Sequence, residues 1–400
     1  MRILVACELP DFALDALRSL GSEQRYEPEA RGERLRELIE GAGILVVDSR
    51  RVAPDVINRG TALQMIVHAG PGAGDIAVDE ASAQGIFVTH CPDQHAAAVA
   101  ELAFGLVLAL DRRIVENTLA LRAGRWMQGE FRNARGLAGG TLGILGYGPV
   151  GREIARRAAA FDMSVLAWSA TPVAETGGPP EVTFCGWPRE VARGSDVVAV
   201  LGLEAPAGQR FLVDAEFLEN MRPGAYLVSV GDPAVLDDVT LANAIRSRDL
   251  RFAIDVLGPD AGSDVGRFRC RLCDLPGVVA TQRIGSLTQQ ARQATAAEVV
   301  RIIRSFLVSG EVCNCLNLAE HSRATWQLVL RLRDAVGVMA AILAAIRADG
   351  VNVERIASRV FSGARAAWCT ICLDERPSAE ALEAIRALPE VLYSELRAVV

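Results

Sequence analysis

The segment that most constrains the fold of this chain is residues 139–151. An apolar strand pattern, Thr141-Leu-Gly-Ile-Leu, leads directly into Gly146-Tyr-Gly148-Pro-Val-Gly151. In this spacing the first glycine permits a tight turn, the second lets backbone approach a pyrophosphate, and the third lets a helix pack closely on the strand. The segment predicts the strand–turn–helix of a Rossmann-type dinucleotide-binding domain. The expected phosphate contacts are Gly146, Gly148, Pro149, Val150 and Gly151.

The residue after the next expected strand indicates which dinucleotide such a domain prefers. An NAD site has Asp or Glu there, about 20 residues beyond the glycines, to bind the ribose hydroxyls. This chain has Trp168-Ser169-Ala170 instead. Ser169 can bond to a hydroxyl or to a phosphate. Without the acid NADP is not repelled, and without a neighbouring arginine it is not attracted, so the sequence predicts NAD or NADP and leaves the choice open.

Length and charge indicate the class of protein. The chain has 400 residues, enough for two or three domains, and its net charge of −7 favours a soluble protein without a nucleic-acid partner. Residues 1–6 read as a first strand rather than a signal peptide, and the longest apolar stretch, 99–110, is too short to cross a bilayer. A cytoplasmic protein with no membrane contact is expected. All 42 basic residues are arginine, which excludes a catalytic lysine.

Nine cysteines scattered over a long chain indicate reduced thiols. Two close pairs together supply four thiolates: Cys270 with Cys273, and Cys313 with Cys315. One pair is CxC, an uncommon zinc half-site, and no partner spacing supports a metal. No metal is expected.

Hydrophobic periodicity predicts three α/β regions. In the first, strands are expected at 2–6, 43–47, 64–68 and 86–89, followed by one long amphipathic helix at 98–119. In the second, strands are expected at 141–145, 164–168, 196–200, 225–230 and 251–255, with a helix at 288–307 after them. Residues 326–399 follow a βαββαβ order. The predicted fold is α/β, with two doubly wound Rossmann-like domains of parallel strands and a C-terminal ferredoxin-like domain.

Several further stretches match one protein family: Val99-Ala-Glu101, Met221-Arg-Pro-Gly224, Ala253-Ile-Asp255-Val256 and Ile284-Gly285-Ser286. With the glycine loop and the terminal βαββαβ, they make the chain resemble the D-2-hydroxyacid dehydrogenases, specifically the D-3-phosphoglycerate dehydrogenase type with a C-terminal ACT domain. The resemblance covers essentially all 400 residues. It implies hydride transfer between a nicotinamide and a 2-hydroxy acid, in a homodimer or larger homo-oligomer. The implied domains are a substrate domain of 1–98 and 286–318, a nucleotide domain of 99–285, and an ACT-like domain of 325–400.

The family's catalytic triad falls on substituted positions. Its substrate-binding arginine corresponds to Asp232, its glutamate to Asp260 and its histidine to Arg283. A cation about 4 Å from a carboxylate attracts it by roughly 4 kcal/mol at an effective dielectric near 20, and Asp232 reverses that sign. Arginine stays protonated, so Arg283 cannot be the general base. Loss of general acid–base catalysis typically lowers the rate by about 10²–10⁴-fold. The family's usual activity is therefore expected to be very weak.

Two alternatives retain an enzyme. In one, Arg283 binds the substrate carboxylate and Asp232 accepts the proton. In the other, the base is His68 or His95, which the resemblance places on the cleft side, because histidine titrates near neutrality. The competing interpretation is ordinary loop histidines in a non-catalytic dinucleotide-binding sensor or scaffold. Asp75 and Asp232 in the cleft disfavour a phosphorylated acid as substrate.

The resemblance also assigns contacts at two other places. Val230, Asp255 and Gly285 match cofactor-binding positions at the nicotinamide end. In the C-terminal domain Asn352 stands where the pattern binds a small amino acid, often serine, although the turn after Gly350 explains an asparagine equally well. A small-molecule substrate or effector is the expected ligand.

Overall fold

The computed structural model describes residues 1–171, 182–201, 210–257, 270–319 and 322–399. The chain forms two compact units, Met1–Asn317 and Leu318–Val400. The first unit contains a five-stranded and a seven-stranded sheet, and the second contains a four-stranded sheet. This confirms the predicted α/β fold with two parallel, doubly wound sheets and a separate C-terminal sheet domain.

The five-stranded sheet has the order β2-β1-β3-β4-β5, with all strands parallel. Its strands are β1 (Arg2–Val5), β2 (Glu23–Tyr26), β3 (Ile44–Val47), β4 (Met65–His68) and β5 (Phe87–His90). Its connecting helices are α1 (Asp11–Arg18), α2 (Gly32–Leu38), α3 (Pro54–Arg59) and α4 (Val78–Ala83). β3 and β4 are buried along their whole length, as parallel strands covered on both faces are. The sequence missed β2, because this mostly exposed edge strand has no apolar run.

The prediction of one long helix at 98–119 is wrong, because the chain forms two helices there, α5 (Ala96–Arg112) and α6 (Ile114–Arg122). The short α7 (Gln128–Phe131) follows them. The break is at Arg113, which has a left-handed φ of 50°. The buried Asp111 fixes the end of α5, since its Oδ1 accepts hydrogen bonds from the Tyr226 hydroxyl and from the N–H groups of Arg135 and Gly136. Tertiary contacts thus end the helix where its periodicity continues.

The seven-stranded parallel sheet has the order β12-β11-β10-β9-β6-β7-β8. Its strands are β6 (Thr141–Leu145), β7 (Ser164–Trp168), β8 (Val182–Phe184), β9 (Val197–Val200), β10 (Tyr226–Ser229), β11 (Arg251–Ile254) and β12 (Val278–Ala280). Its helices are α8 (Pro149–Ala160), α9 (Pro188–Gly194), α10 (Ala215–Asn220) and α11 (Asp238–Arg248). From β6 the strand order runs one way to β7 and β8 and the other way to β9, β10, β11 and β12. Doubly wound sheets bind ligands at such a switch point, at the carboxyl ends of the strands.

The helix α12 (Gln289–Ser309) returns to the first sheet. Its buried residues, including Val299 and Ile302, share one core with Ile3, Val5 and Val67. The domain boundaries expected within this unit remain a prediction. Across the described residues, no helix has both the length and the apolar character needed to cross a membrane.

The C-terminal unit is antiparallel, with strand order β14-β15-β13-β16. Its elements are β13 (Trp326–Arg333), α13 (Val338–Ala348), β14 (Val353–Val360), β15 (Ala366–Leu373), α14 (Ala379–Arg386) and β16 (Val391–Ala398). Both helices pack on one side of the sheet, where Leu328, Leu330 and Ile371 form the core with Ile342 and Ile385. This is the predicted βαββαβ topology.

Candidate functional site

The glycine loop between β6 and α8 has the geometry of a phosphate cradle. Gly146 has a φ of 98°, and its N–H donates to the Trp168 carbonyl at 2.8 Å. A Cβ on Gly151 would lie 2.9 Å from the Gly146 carbonyl oxygen, so only glycine lets α8 start this close to the strand. A Cβ on Gly148 would meet nothing within 4 Å, so open space lies in front of the loop backbone. Gly146 and Gly151 thus make the turn and the close packing predicted from the spacing, and Gly148 leaves the space that the predicted pyrophosphate contact needs.

The first turn of α8 is available to an anion. Gly148 is its N-cap and offers no side-chain cap, and Pro149 is at the first helical position. The N–H groups of Val150 and Gly151 have no partner within the helix, and they lie at the positive end of its dipole. Together with the space in front of Gly148, these groups fit the pyrophosphate of a dinucleotide.

Ser169, the residue predicted at the ribose of the cofactor, follows β7. Its Oγ lies 3.5 Å from Thr171 Oγ1. Neither hydroxyl repels a 2′-phosphate as a carboxylate would, and neither attracts it as a guanidinium would. Ser169 therefore accommodates either dinucleotide.

Three neighbouring parallel strands, β10, β11 and β12, end at the same edge of the seven-stranded sheet. The positions predicted for catalysis and cofactor contact follow them: Val230 and Asp232 after β10, Asp255 after β11, and Arg283 after β12. Asp232 caps a short turn, where its carboxylate accepts a hydrogen bond from Ala234 N–H at 2.9 Å. Val230 is buried and donates its N–H to the Val200 carbonyl. Asp260, the third triad position, lies outside the described residues.

Asp255 builds the loop that follows β12. Its side chain is only 3% exposed, and it accepts hydrogen bonds from Thr281 Oγ1 at 2.6 Å and from the N–H groups of Ile284 and Gly285 at 2.9 Å. Its backbone carbonyl accepts from Arg283 N–H at 2.8 Å. Both carboxylate oxygens are thus used within the protein. This geometry makes Asp255 a residue that positions the loop.

Arg283 occupies the place of the family's base at the tip of this loop. Its φ is 55°, and its side chain is exposed. Among the described residues, no carboxylate forms a salt bridge with it. Arg283 and Asp232 are therefore not paired with each other. The guanidinium is available to a bound anion.

The structure brings together three histidines, of which the sequence predicted two. His68 ends β4 and His90 ends β5, and they are register partners. The predicted strand 86–89 stopped one residue before His90, so this residue was missed. Its position at the end of a strand next to His68 was the available signal.

The Gly72 backbone links these two rings. The carbonyl of Gly72 accepts from His68 Nδ1 at 2.8 Å, and the N–H of Gly72 donates to His90 Nδ1 at 3.1 Å. His68 therefore carries its proton on Nδ1, and neutral His90 carries its proton on Nε2. A Cβ on Gly74 would lie 2.8 Å from His68 Nε2, so the loop covers this ring, which is only 6% exposed. This burial disfavours His68 as a base that contacts substrate.

His95 lies at the start of the helix that packs on the loop carrying Arg283. It is the N-cap residue of α5, and one turn further along, Val99 Cγ2 lies 3.6 Å from a Cβ built on Gly285. Its Nδ1 is buried and has no hydrogen-bond partner in the described structure. Burial, followed by the nearby His68, lowers the pKa of His95 below the ordinary 6.5. His95 is therefore mainly neutral at pH 7, beside the loop that carries Arg283.

The predicted effector residue in the C-terminal unit is exposed. Asn352 Nδ2 donates to Glu354 Oε1 at 3.0 Å, and its backbone N–H donates to Asp374 Oδ1 at 2.9 Å. Gly337, the N-cap of α13, has a φ of 91°. The Asn352 backbone bond joins the residue before β14 to the residue after β15, and any residue type with an N–H group could make it.

The cysteine pairs lie in separate regions. Cys313 Sγ accepts a hydrogen bond from Arg301 of α12, and the backbone of Cys315 forms an isolated antiparallel β-bridge with Thr89. Cys270 instead packs against the hydrophobic core of the seven-stranded sheet. Within the described ranges, no three His, Cys, Asp or Glu side chains are grouped to hold a metal ion.

Comparisons with known proteins agree with this geometry. Residues 104–300 match the family model for the D-isomer specific 2-hydroxyacid dehydrogenase, NAD binding domain. The hydroxypyruvate reductase of Thermotoga maritima is 32% identical over 274 residues, covering 68% of this chain and 87% of that protein. The D-3-phosphoglycerate dehydrogenase of Escherichia coli is 27% identical over 396 residues, covering 96% of this chain and 94% of that protein.

A solved structure also matches. The TT0316 protein from Thermus thermophilus has a TM-score of 0.67 and 31% identity, over 79% of this chain and 100% of that chain. The matched family domain contains the glycine loop and the residues after β10, β11 and β12. The cofactor is therefore NAD or NADP.

Proposed function

The chain belongs to the D-isomer specific 2-hydroxyacid dehydrogenase family, and from this premise we propose an NAD(P)-dependent oxidoreductase whose proton-transfer group has moved. Its substrate is a small, unphosphorylated 2-hydroxy acid or the corresponding 2-oxo acid. The observation that carries the proposal is the position of His95, one helical turn from the contact between Val99 and Gly285. This supplies a titrating group beside the loop where Arg283 replaces the usual base.

Each residue has a separate task in this proposal. In the oxidation direction the neutral imidazole of His95 accepts the hydroxyl proton, while C2 of the substrate loses a hydride and the carbonyl forms. When bound, NAD(P) would supply the hydride acceptor for oxidation and the hydride donor for the reverse reaction. Arg283 pairs with the substrate carboxylate, and Asp255 holds the Arg283 loop in place. Because Asp232 caps its own turn, this arrangement is favoured over one in which Asp232 is the base.

A second candidate, a non-catalytic dinucleotide sensor or scaffold, is favoured by a specific observation. Asp232 stands where the family has its substrate-binding arginine, and Arg283 stands where it has its histidine base. The usual cation and the usual base are therefore both missing at the described triad positions. Both candidates bind cofactor through the loop at Gly148. They differ only in turnover.

The deciding experiment combines calorimetry with a turnover assay. NADH and NADPH binding is measured first, and then a panel of 2-oxo acids is followed by absorbance at about 340 nm. If the wild-type protein binds cofactor and turns over a 2-oxo acid, and His95→Asn abolishes that turnover, the enzyme proposal is supported. Binding without turnover on the whole panel supports the sensor, and absence of binding contradicts both.

We also propose that the C-terminal unit is an ACT-type regulatory or dimerisation domain. Its βαββαβ topology and the exposed Asn352 beside the turn after α13 support this. A shift in the melting temperature with L-serine or another small amino acid, lost in Asn352→Ala, tests the effector role. No shift with any amino acid leaves dimerisation as its role.

A further inference from the structure

One face of the C-terminal sheet is left open by its two helices. The core on the helix side uses Leu330 of β13 and Cys369 of β15, which are register partners. Alternate residues of each strand therefore lie on the opposite face. Most long polar and aromatic side chains on that face are exposed.

One row across this open face consists entirely of cations and rings. Arg359, Trp368, Arg331 and Tyr393 are successive register partners across β14, β15, β13 and β16. Trp368 is 36% exposed and Tyr393 is 41% exposed. The Arg331 guanidinium carbon lies 5.1 Å from the centroid of the Tyr393 ring. We call these four residues the Arg–aromatic row.

Charge is segregated onto this face. The C-terminal unit has ten arginines and ten acidic residues in its sequence and is therefore neutral overall. Arg355 and Arg397 lie on the same face, four residues along β14 and β16 from the Arg–aromatic row, and Glu395 lies between Tyr393 and Arg397 on that face. Arg397 pairs with Glu395 at 2.6 Å. In the described structure, the four other arginines of this face form no salt bridge: Arg331, Arg333, Arg355 and Arg359.

We propose that this open sheet face binds a single-stranded oligonucleotide. Such a ligand supplies both chemistries that the face is built for: phosphates for the guanidinium groups and flat bases for the rings. Trp368 and Tyr393 lie two strands apart, about 10 Å at the usual strand spacing, which suits bases that are unstacked from one another. A flat sheet also favours a single strand over a duplex, whose grooves are read by protruding elements.

Other occupants fit the face less well. A second copy of the same face would bring arginines against arginines, and like charges repel. An acidic peptide would pair with the guanidinium groups but would leave the rings unused. The sequence-based expectation of no nucleic-acid partner rests on the net charge, which averages over the chain and cannot detect one basic face.

The test is fluorescence anisotropy of the full chain with labelled oligo-rU and oligo-dT of about 12 nucleotides, at about 50 mM and 200 mM salt. Saturating NADH is present throughout, so that the dinucleotide site is occupied. We expect Trp368→Ala to weaken binding at least about fivefold, the lower end of a lost base stack. The double variant Arg331→Glu/Arg359→Glu is expected to lower the salt slope by about 1.4 for two lost phosphate contacts.

Two matched controls separate the face from general charge and ring effects. Arg347→Glu makes a single charge reversal on α13, on the helix side, and Trp187→Ala removes an exposed ring from the first unit. Neither is expected to change binding. Tighter binding of oligo-rU identifies RNA as the source, and tighter binding of oligo-dT identifies DNA.

Three results would overturn the proposal. One is no binding to either oligonucleotide at the lower salt concentration. Another is equal loss in Arg347→Glu and Arg331→Glu/Arg359→Glu, which indicates unspecific charge. The third is full competition by polyglutamate with no effect of Trp368→Ala, which identifies an acidic peptide surface. Thermal melts of all variants check folding, and the exposed positions predict unchanged melting temperatures.

Discussion

His68 and His90 are register partners at the carboxyl ends of β4 and β5, and the backbone of Gly72 bonds to Nδ1 of both rings. The loop that contains Gly72 is therefore held to β4 through the His68 side chain and to β5 through the His90 side chain. Burial, then His68, lowers the pKa of His90, which agrees with a ring that accepts at Nδ1. The backbone of one loop residue thus holds both rings.

The first prediction concerns proton transfer by His95. His95→Asn keeps a polar side chain of similar size but cannot titrate, so turnover is expected to fall by about 10²–10⁴-fold. Steady-state kinetics with NADH and the best 2-oxo acid measure this, and calorimetry should show unchanged NADH affinity. Unchanged turnover would show that His95 is not the proton-transfer group.

The pH dependence of the two reaction directions follows from the lowered pKa of His95. Reduction needs the protonated imidazole, so its rate should fall as pH rises through a midpoint below 6.5. Oxidation needs the neutral imidazole, so its rate should rise through the same midpoint and then level off. Profiles of kcat/KM in both directions, compared with His90→Asn, test the assignment. A midpoint above 7 would argue against a buried histidine.

The second prediction concerns the phosphate loop. In Gly148→Asp the new Cβ meets open space, so the fold is retained, while the carboxylate lies where the pyrophosphate is expected. NADH affinity should fall at least about a hundredfold, since like charges in a desolvated site cost several kcal/mol. Gly105→Asp, also with open space around its Cβ, is the matched control and should bind normally. Equal affinity in both variants would place the cofactor elsewhere.

The sequence predicted the phosphate loop because each glycine has a local reason that its spacing reveals. It missed the three-histidine cluster because this depends on the pairing of β4 with β5 and on the loop from Gly70 to Gly74. Periodicity encodes neither the pairing of these strands nor the conformation of this loop. The same limit explains the break at Arg113, which is set by the contact of Asp111 with a distant strand.

The third prediction concerns the stability of the network around Asp111. Tyr226→Phe removes one of three hydrogen bonds to that carboxylate, so the free energy of unfolding should fall by about 0.5–1.5 kcal/mol. Chemical denaturation near pH 8 measures this. The exposed Tyr26→Phe is the control and should have no effect. A loss in both variants would indicate a general effect of removing a hydroxyl.

The same network predicts alkaline sensitivity. Burial, followed by Asp111, raises the pKa of Tyr226 from 10.0 to about 12. The folded state therefore keeps this proton where the unfolded state loses it. The stabilisation is complete below pH 10 and is lost as pH rises from 10 to about 12. The difference in unfolding free energy between wild type and Tyr226→Phe should accordingly be smaller near pH 11 than near pH 8.

The last prediction concerns self-association, expected from the family resemblance. α6 exposes Ile114, Leu119 and Leu121, and the turn after it exposes Trp126 to 79%. A second copy docked on this region would bury exposed apolar side chains. Trp126→Arg should therefore shift the chain from dimer towards monomer in light scattering coupled to size exclusion. Val239→Arg, at an isolated apolar residue that is 72% exposed, should leave the mass unchanged. A wild-type monomer at micromolar concentration would contradict the prediction outright, and a dimer that persists in Trp126→Arg would place the interface on another surface.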